Sequence, residues 1–460
     1  MTDRAALLGR IVKAYDIRAL VEEVDTDLLR ALGAAAAVEL AGGSGRFVLG
    51  RDMRASSAAW ADALADGVTS QGIDVIDIGL ASTDQLSFAS GSLEAAGAMI
   101  TASHNPPTYN GIKLCRPGAV PVAIDTGLGA IRDRLLGGGL PPPGGPVTRT
   151  GRRIERDLLP AFAAHVRSFI DADRLTAIRV AVDAGNGMAG LVWPAVVDGL
   201  PIVTEALYFE LDGTFPHHPA NPLDPANLAD LRAVVTAGGH ALGLAFDGDA
   251  DRVFAVDETG RPVASSLVGA AVAERLLARH PGETVLHNLI CSRVVAETIR
   301  AAGGTPLRTR VGHSFIKQRM AETDAVFAVE HSGHYYFRDN FRADSGLIAA
   351  LVLLEVVSDA GAPLSEVLAP YDRYPSSGER NLAVDDPAAT LARVQRGIAD
   401  RALAVDHEDG LTVEVPGGWF NLRPSNTEPV VRLNVEGDDH AAMTAIVEEV
   451  LALAAGRPEP

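Results

Sequence analysis

Short apolar runs rich in β-branched residues alternate with longer amphipathic runs along most of this chain. Residues 47–49, 73–78 and 97–100 read as buried strands, with a helix at 56–69 between the first two. The alternation resumes with strands at 178–182 and 241–246 and a helix at 228–236 between them. A helix at 267–278 then leads to strands at 284–289 and 326–329, and 347–357 reads as a further helix. This is the pattern of α/β units built on mainly parallel sheets. The last part changes character. Asp386 and Pro387 form an N-cap and first-turn pair for a helix through Arg401. Strands at 411–415 and 430–435 and a closing helix at 439–454 complete a small α+β unit. The recurrence is one of pattern, with no exact short repeat.

Between Gly137 and Pro146 glycine and proline are too dense to continue a helix or strand. The first domain boundary is placed there. The expected domains are 1–146, 147–256, 257–372 and 373–460: three similar α/β domains plus a smaller C-terminal α+β domain. A length of 460 residues and a hydrophobic content of 47% supply several cores. The formal net charge of −19 argues against a long nucleic-acid surface or an anionic membrane as partner. An anionic small molecule held by a local cluster of basic groups remains compatible with it. Cys115 and Cys291 lie far apart, and make neither a metal-ligand pair nor a disulfide framework. A reducing cytoplasm fits that usage. No signal-peptide h-region is visible in residues 1–8. The most apolar run, 346–354, is cut short by Glu355 and reads as a buried helix, too short to span a bilayer.

Candidate chemistry gathers in a few loops. Thr101-Ala102-Ser103-His104-Asn105-Pro106-Pro107 follows the strand at 97–100, and its prolines stop a regular helix. That places Ser103 at the C-terminal end of a strand, where open α/β sheets bind ligands. The serine reads either as a nucleophile or carrier of a covalent group, or as part of a polar turn. Asp247-Gly248-Asp249-Ala250-Asp251-Arg252 sets three carboxylates at alternate positions after a strand. Three hard oxygen donors suit Mg²⁺ or Ca²⁺, and without a cation they repel one another. An EF-hand would need Gly at the sixth place, where Arg252 stands, and helical flanks. A phosphate sharing the site accounts better for Arg252.

Gly185-Asn186-Gly187-Met188-Ala189-Gly190 matches G-x-G-x-x-G after a strand, with Glu205 and Glu210 downstream. That is the argument for a dinucleotide-binding oxidoreductase. Asp183 and Ala184 separate strand from glycine, which favours a structural turn. Glu330-His331-Ser332-Gly333-His334 offers a carboxylate, a hydroxyl and imidazoles suited to sugar hydroxyls. Two such histidines are also common surface residues or metal ligands. Arg423-Pro424-Ser425-Asn426-Thr427 has the chemistry of a phosphate cradle, or of an ordinary hairpin turn. Tyr15-Asp16-Ile17-Arg18, Arg51-Asp52 and Lys113 are weaker single signals.

Together with Lys13-Ala14-Tyr15-Asp16-Ile17-Arg18 and Gly312-His313-Ser314, these segments resemble the α-D-phosphohexomutase family, most closely its phosphomannomutase/phosphoglucomutase branch. They occur in family order over nearly the whole chain. The resemblance implies four domains around a central cleft, each giving one loop. It makes Ser103 the phosphoserine, with Asp247, Asp249 and Asp251 joining its phosphate in holding Mg²⁺. It makes Glu330 and Ser332 readers of the sugar hydroxyls. Arg423, Ser425, Asn426 and Thr427 then hold the substrate's non-reacting phosphate. Tyr15, Arg18, His104, Lys113, Arg252, Arg310, His313 and His334 line the cleft.

The implied reaction is reversible phosphoryl transfer between the 1- and 6-positions of mannose or glucose phosphate, through a hexose 1,6-bisphosphate that turns around in the cleft. Lys113 is the first candidate for proton transfer, provided its pKa is depressed, and His104 or His334 the next. Hexose phosphates are the implied partners of a cytoplasmic monomer or weak dimer. Departures from the family pattern fall at Ala19, Val329 and Arg310. Phosphoglucosamine mutase, a phosphatase and a non-catalytic sugar-phosphate sensor are the rival readings. His331 weakly favours hexoses without an amino group.

Overall fold

The computed structural model describes residues 4–41, 43, 45–137, 150–424 and 430–455. Four sheets organise it. In the first, the strand order is Ile17–Leu20, Tyr109–Arg116, Ala96–Ile100, Arg46–Arg51, Asp74–Leu80 and Arg153–Glu155. The last four of these run parallel, and Tyr109–Arg116 pairs antiparallel with Ala96–Ile100. Ala96–Ile100 is buried at every residue, as a strand covered on both faces should be.

The second sheet has the order Val253–Asp257, Leu242–Phe246, Ile178–Asp183, Ile202–Leu207, and the third Thr305–Thr309, Thr284–Asn288, Phe327–Val329, Tyr335–Phe337. Each contains three parallel strands and one antiparallel edge strand. The three α/β units therefore share a device. A parallel strand turns back into an antiparallel neighbour, and the connecting loop is the one that holds the candidate residues: 101–108, 247–252 and 330–334. The fourth sheet is antiparallel throughout, in the order Arg380–Ala383, Val430–Gly437, Gly418–Pro424, Leu411–Val415, Ala404–Asp406. Helices Pro387–Ile398 and His440–Ala454 cover it, capped by Asp386 and Asp439 through bonds from Ala389 N and Ala442 N. The first of these helices ends at Ile398, before the expected Arg401.

A single apolar core runs through the second and third units, from Phe162 and Val182 through Phe246 to Val285 and Leu351. The first and fourth units have their own cores. Helix Gly346–Ala360 lies in the shared core. No helix among the described residues is long and apolar enough to cross a membrane.

The expected boundary at Pro146 lies outside the described residues. Arg153–Glu155 adds to the first sheet, parallel to Asp74–Leu80, so the chain returns to the first unit after the Gly/Pro segment. Glycine and proline report where regular backbone stops. Which sheet a later strand joins is set by hydrogen bonds to distant residues. Residues 138–149 of that segment lie outside the described residues.

Candidate active site

The serine loop leaves the buried strand at Ile100 and is held from behind. Ser103 is 4% exposed and has φ +51°, a left-handed conformation unusual for a residue with a side chain. Arg54 holds it there. Its guanidinium donates to the carbonyls of Ser103 (2.8 Å), Asn105 (2.7 Å), Pro106 (2.9 Å) and Tyr109 (3.1 Å), and its Nε to Asp52 (3.1 Å). Both Arg54 and Asp52 are buried. Arg18 braces the other side, donating to Asn105 Oδ1 (2.5 Å) and Asp16 Oδ2 (2.7 Å).

The acidic loop of the second unit meets this serine directly. Ser103 Oγ donates to Asp247 Oδ2 at 2.8 Å, and Arg252 Nε donates to the same oxygen at 2.9 Å. Lys113 Nζ bridges Asp249 Oδ2 (2.6 Å) and Asp251 Oδ2 (2.7 Å). One carboxylate oxygen from each of Asp247, Asp249 and Asp251 falls within 4.8 Å of the others. All three residues are buried, and Asp249 Oδ1 and Asp251 Oδ1 have no hydrogen-bond partner. Orphaned hard oxygens in a buried acidic cluster fit a divalent cation such as Mg²⁺.

The charges follow from this crowding. Burial, with two acidic neighbours, pushes the Asp247 carboxyl up to about 7 despite Arg252. Burial alone would raise Asp249 as well, but Lys113 outweighs it and holds that carboxyl below the usual range. Burial would lower Lys113, and the paired carboxylates instead raise it. Lys113 is thus a paired cation in this structure. Burial, then Arg252 and Arg18, push His104 down to about 2. Its Nδ1 accepts from Arg252 (2.5 Å) and lies 3.2 Å from Ser103 Oγ. His104 is a neutral neighbour of the serine with its lone pair already engaged.

Gly248 lets the two loops approach. A Cβ there would lie 2.5 Å from the Ser103 carbonyl oxygen, and a Cβ on Gly187 would lie 2.8 Å from the Gly248 oxygen. Met188 N donates to that same Gly248 oxygen at 2.9 Å. The G-x-G-x-x-G segment is therefore a turn that supports the acidic loop from below. Gly248→Ala is expected to cost about 1–3 kcal/mol, because the clash is with backbone. Turnover should fall with it. Thermal unfolding at the wild-type temperature would contradict this.

From the third unit, Glu330 accepts from Tyr336 Oη (2.5 Å), Asn288 Nδ2 (3.2 Å) and Gly312 N (3.4 Å). Ser332 Oγ lies 3.1 Å from His334 Nδ1, and His334 Nε2 lies 3.9 Å from Asp251 and 3.8 Å from Asp344. His334 thus brings the 330–334 loop next to the acidic loop. His313 and Phe315 pack edge-on against Tyr15 of the first unit, and Arg310 stacks on Phe315. A cavity of about 1080 Å³ opens between the second, third and fourth units, lined by residues that include His331, Ser332, Glu379, Arg423 and Arg432. Ser103 and the three aspartates lie outside that lining. Arg423 and Arg432 face each other across paired strands and share Glu379, at 3.2 and 3.0 Å. Ser425, Asn426 and Thr427 lie outside the described residues.

Sequence reading missed Arg54, Thr83, Asp84, Lys317 with its partner Asp344, and Arg432. Each acts across a long stretch of chain, and no local pattern marks it. Lys317 pairs with Asp344 at 2.9 Å. Asp84 is fully buried between the first and third units, where Ser82 Oγ and Ser345 Oγ donate to it, the latter at 2.6 Å. Burial pushes its carboxyl from 3.8 up to about 7 against those two donors. The unfolded chain therefore loses this proton near pH 4 and the folded chain only near pH 7. Stability contributed by this group is present below pH 4 and falls as pH rises to 7, by up to ~4 kcal/mol. Asp84→Asn is expected to flatten that slope and to raise stability at pH 7.5 by about 1–4 kcal/mol. Urea unfolding at pH 5 and 7.5 measures it, and an unchanged slope would refute it.

Comparison with known proteins agrees with this architecture. The chain matches the phosphoglucomutase/phosphomannomutase alpha/beta/alpha domains I (residues 9–135), II (160–260) and III (265–374) and the C-terminal domain (379–453). It is 40% identical over 435 residues to a protein of Xanthomonas campestris pv. campestris named for phosphohexose mutases, covering 94% of this chain and 96% of that one. It is 40% identical over 452 residues to a phosphomannomutase of Salmonella montevideo, covering 96% and 98%. A crystal structure of a phosphoglucomutase/phosphomannomutase family protein from Burkholderia thailandensis superposes with a TM-score of 0.88 at 32% identity, over 99% of this chain and 98% of that one. With all four domains matched and the serine loop set against the acidic loop, the chain belongs to the phosphoglucomutase/phosphomannomutase family, and it is a phosphohexomutase.

Proposed function

We propose that this phosphohexomutase interconverts the 1- and 6-phosphates of mannose or glucose through a phosphoserine at Ser103 and a hexose 1,6-bisphosphate. The observation that carries the reading is the 2.8 Å contact of Ser103 Oγ with Asp247, beside two further buried aspartates that keep unpartnered oxygens. Asp247, Asp249 and Asp251 would hold Mg²⁺. When bound, the cation supplies charge neutralisation on the transferring phosphoryl group.

Phosphorylated Ser103 gives its phosphoryl group to a sugar hydroxyl. The Oγ–P bond breaks, a bond from the sugar oxygen to phosphorus forms, and the hydroxyl proton leaves to a base. The bisphosphate then turns and returns its other phosphoryl group to Ser103. Arg252 and Lys113 oppose charge on the group in transit. His334, beside Ser332 and close to Asp251, is the group placed to exchange the sugar proton. Glu330 and Ser332 read the sugar hydroxyls, and Arg423 with Arg432 holds the resting phosphate.

Coupled assays with mannose 1-phosphate, glucose 1-phosphate and glucosamine 1-phosphate, each with catalytic glucose 1,6-bisphosphate and Mg²⁺, test the reading. Turnover of the first two is expected, abolished by EDTA and restored by Mg²⁺. Turnover of glucosamine 1-phosphate alone would move the protein to the phosphoglucosamine branch. Phosphate release outpacing isomerisation would make it a phosphatase, and binding without turnover a sensor.

A further inference from the structure

Helix Thr83–Leu93 of the first unit starts directly behind the acidic loop of the second. Thr83 makes two bonds to one residue there. Its Oγ1 donates to Asp249 Oδ2 at 2.5 Å, and its backbone N donates to the Asp249 carbonyl at 3.0 Å. Lys113, also from the first unit, takes the same Oδ2 at 2.6 Å. Both side-chain donors thus converge on a single oxygen, and Oδ1 is left buried with no partner. The terminal torsion of an aspartate is soft and roughly two-fold, so an unrestrained carboxylate could present either oxygen. The paired bonds to Thr83 remove that freedom, because the backbone bond fixes where the hydroxyl stands. The next residue, Asp84, anchors the same helix start to Ser345 of the third unit.

We propose that Thr83 is a positioning residue for a divalent cation. It turns Asp249 so that Oδ1 is the oxygen offered, and it makes cation affinity depend on the first and second units being docked. The inference rests on the reading of Asp247, Asp249 and Asp251 as the cation site. Removing a group that orients a metal ligand typically costs about 10–100-fold in metal affinity.

Mn²⁺ is the probe, with binding read by electron paramagnetic resonance or calorimetry on the full-length protein. Wild type, Thr83→Val, Thr83→Ser and Asp249→Asn are compared. Thr83→Val is expected to bind Mn²⁺ at least ~10-fold more weakly. Thr83→Ser keeps the hydroxyl and should stay near wild type. In assays the Thr83→Val defect should appear mainly as a higher half-saturating metal concentration, with kcat at saturation changed less. Wild-type Mn²⁺ affinity in Thr83→Val overturns the inference, and so does an equal loss in valine and serine variants. If the valine variant does not fold, Thr83→Ala against Thr83→Ser decides on the same criterion. Should Asp249→Asn bind Mn²⁺ as wild type does, the cation site itself is misassigned and the inference falls with it. A loss confined to Asp249→Asn leaves the site standing and removes Thr83 alone.

Discussion

Ser103→Ala is expected to lower mutase turnover by at least ~10³-fold while leaving the protein folded. The Ser103 hydroxyl donates directly to the acidic cluster. Its neighbour His104 has its Nδ1 taken by Arg252. Alanine keeps the backbone held by Arg54 and gives up one hydrogen bond to Asp247, a loss of about 1 kcal/mol. Steady-state assays with mannose 1-phosphate, together with intact-mass measurement after exposure to glucose 1,6-bisphosphate, read the two consequences. A variant that still turned over at a tenth of the wild-type rate, or still took up a phosphate, would remove Ser103 from its proposed role.

The second large effect is expected at Arg54, a residue with no part in the chemistry. Arg54→Met should destabilise the protein by about 3–5 kcal/mol, the range for stranding one member of a buried ion pair. Asp52 is then left as a buried carboxylate with Ser57 Oγ (2.5 Å) and the residue-54 amide as donors. The carbonyls of Ser103, Asn105, Pro106 and Tyr109 lose the Arg54 donor at the same time, with Pro106 keeping only the Tyr109 amide. Arg54→Lys keeps the charge yet is expected to recover only part of the loss, because an ammonium cannot reproduce the planar fork that spans those carbonyls. Urea unfolding gives the stability, and turnover per folded molecule tests whether Ser103 has lost its place. A methionine variant within ~1 kcal/mol of wild type would show that the loop holds itself.

The two loops at the heart of the site were legible because their chemistry is contiguous. Ser103 sits among seven consecutive residues, and the three aspartates occupy alternate positions in five. A strand pattern ahead of each places them at strand ends. Arg54, Thr83 and Asp84 were not legible for the opposite reason. Each looks like an ordinary polar residue near a helix start, and each acquires meaning from partners such as Ser103, Asp249 and Ser345 that are 49, 166 and 261 residues away. Lys113 was visible, but its state was not. Whether a lysine is a base or a counter-ion depends on which carboxylates surround it, and those belong to another unit.

The sequence by itself determined the strand–helix alternation, the change to an α+β ending, the placing of the serine and acidic loops at strand ends, and the family. These follow from periodicity and short-range spacing, which a linear chain displays directly. Only the tertiary structure decided that Arg153–Glu155 returns to the first sheet and that the second and third units share one core. It alone showed that the G-x-G-x-x-G turn is a support for Gly248, and that one oxygen of Asp249 is tied down while the other is left open. Those outcomes depend on hydrogen bonds and burial between segments far apart in the chain. Their energies exist only once the segments have met.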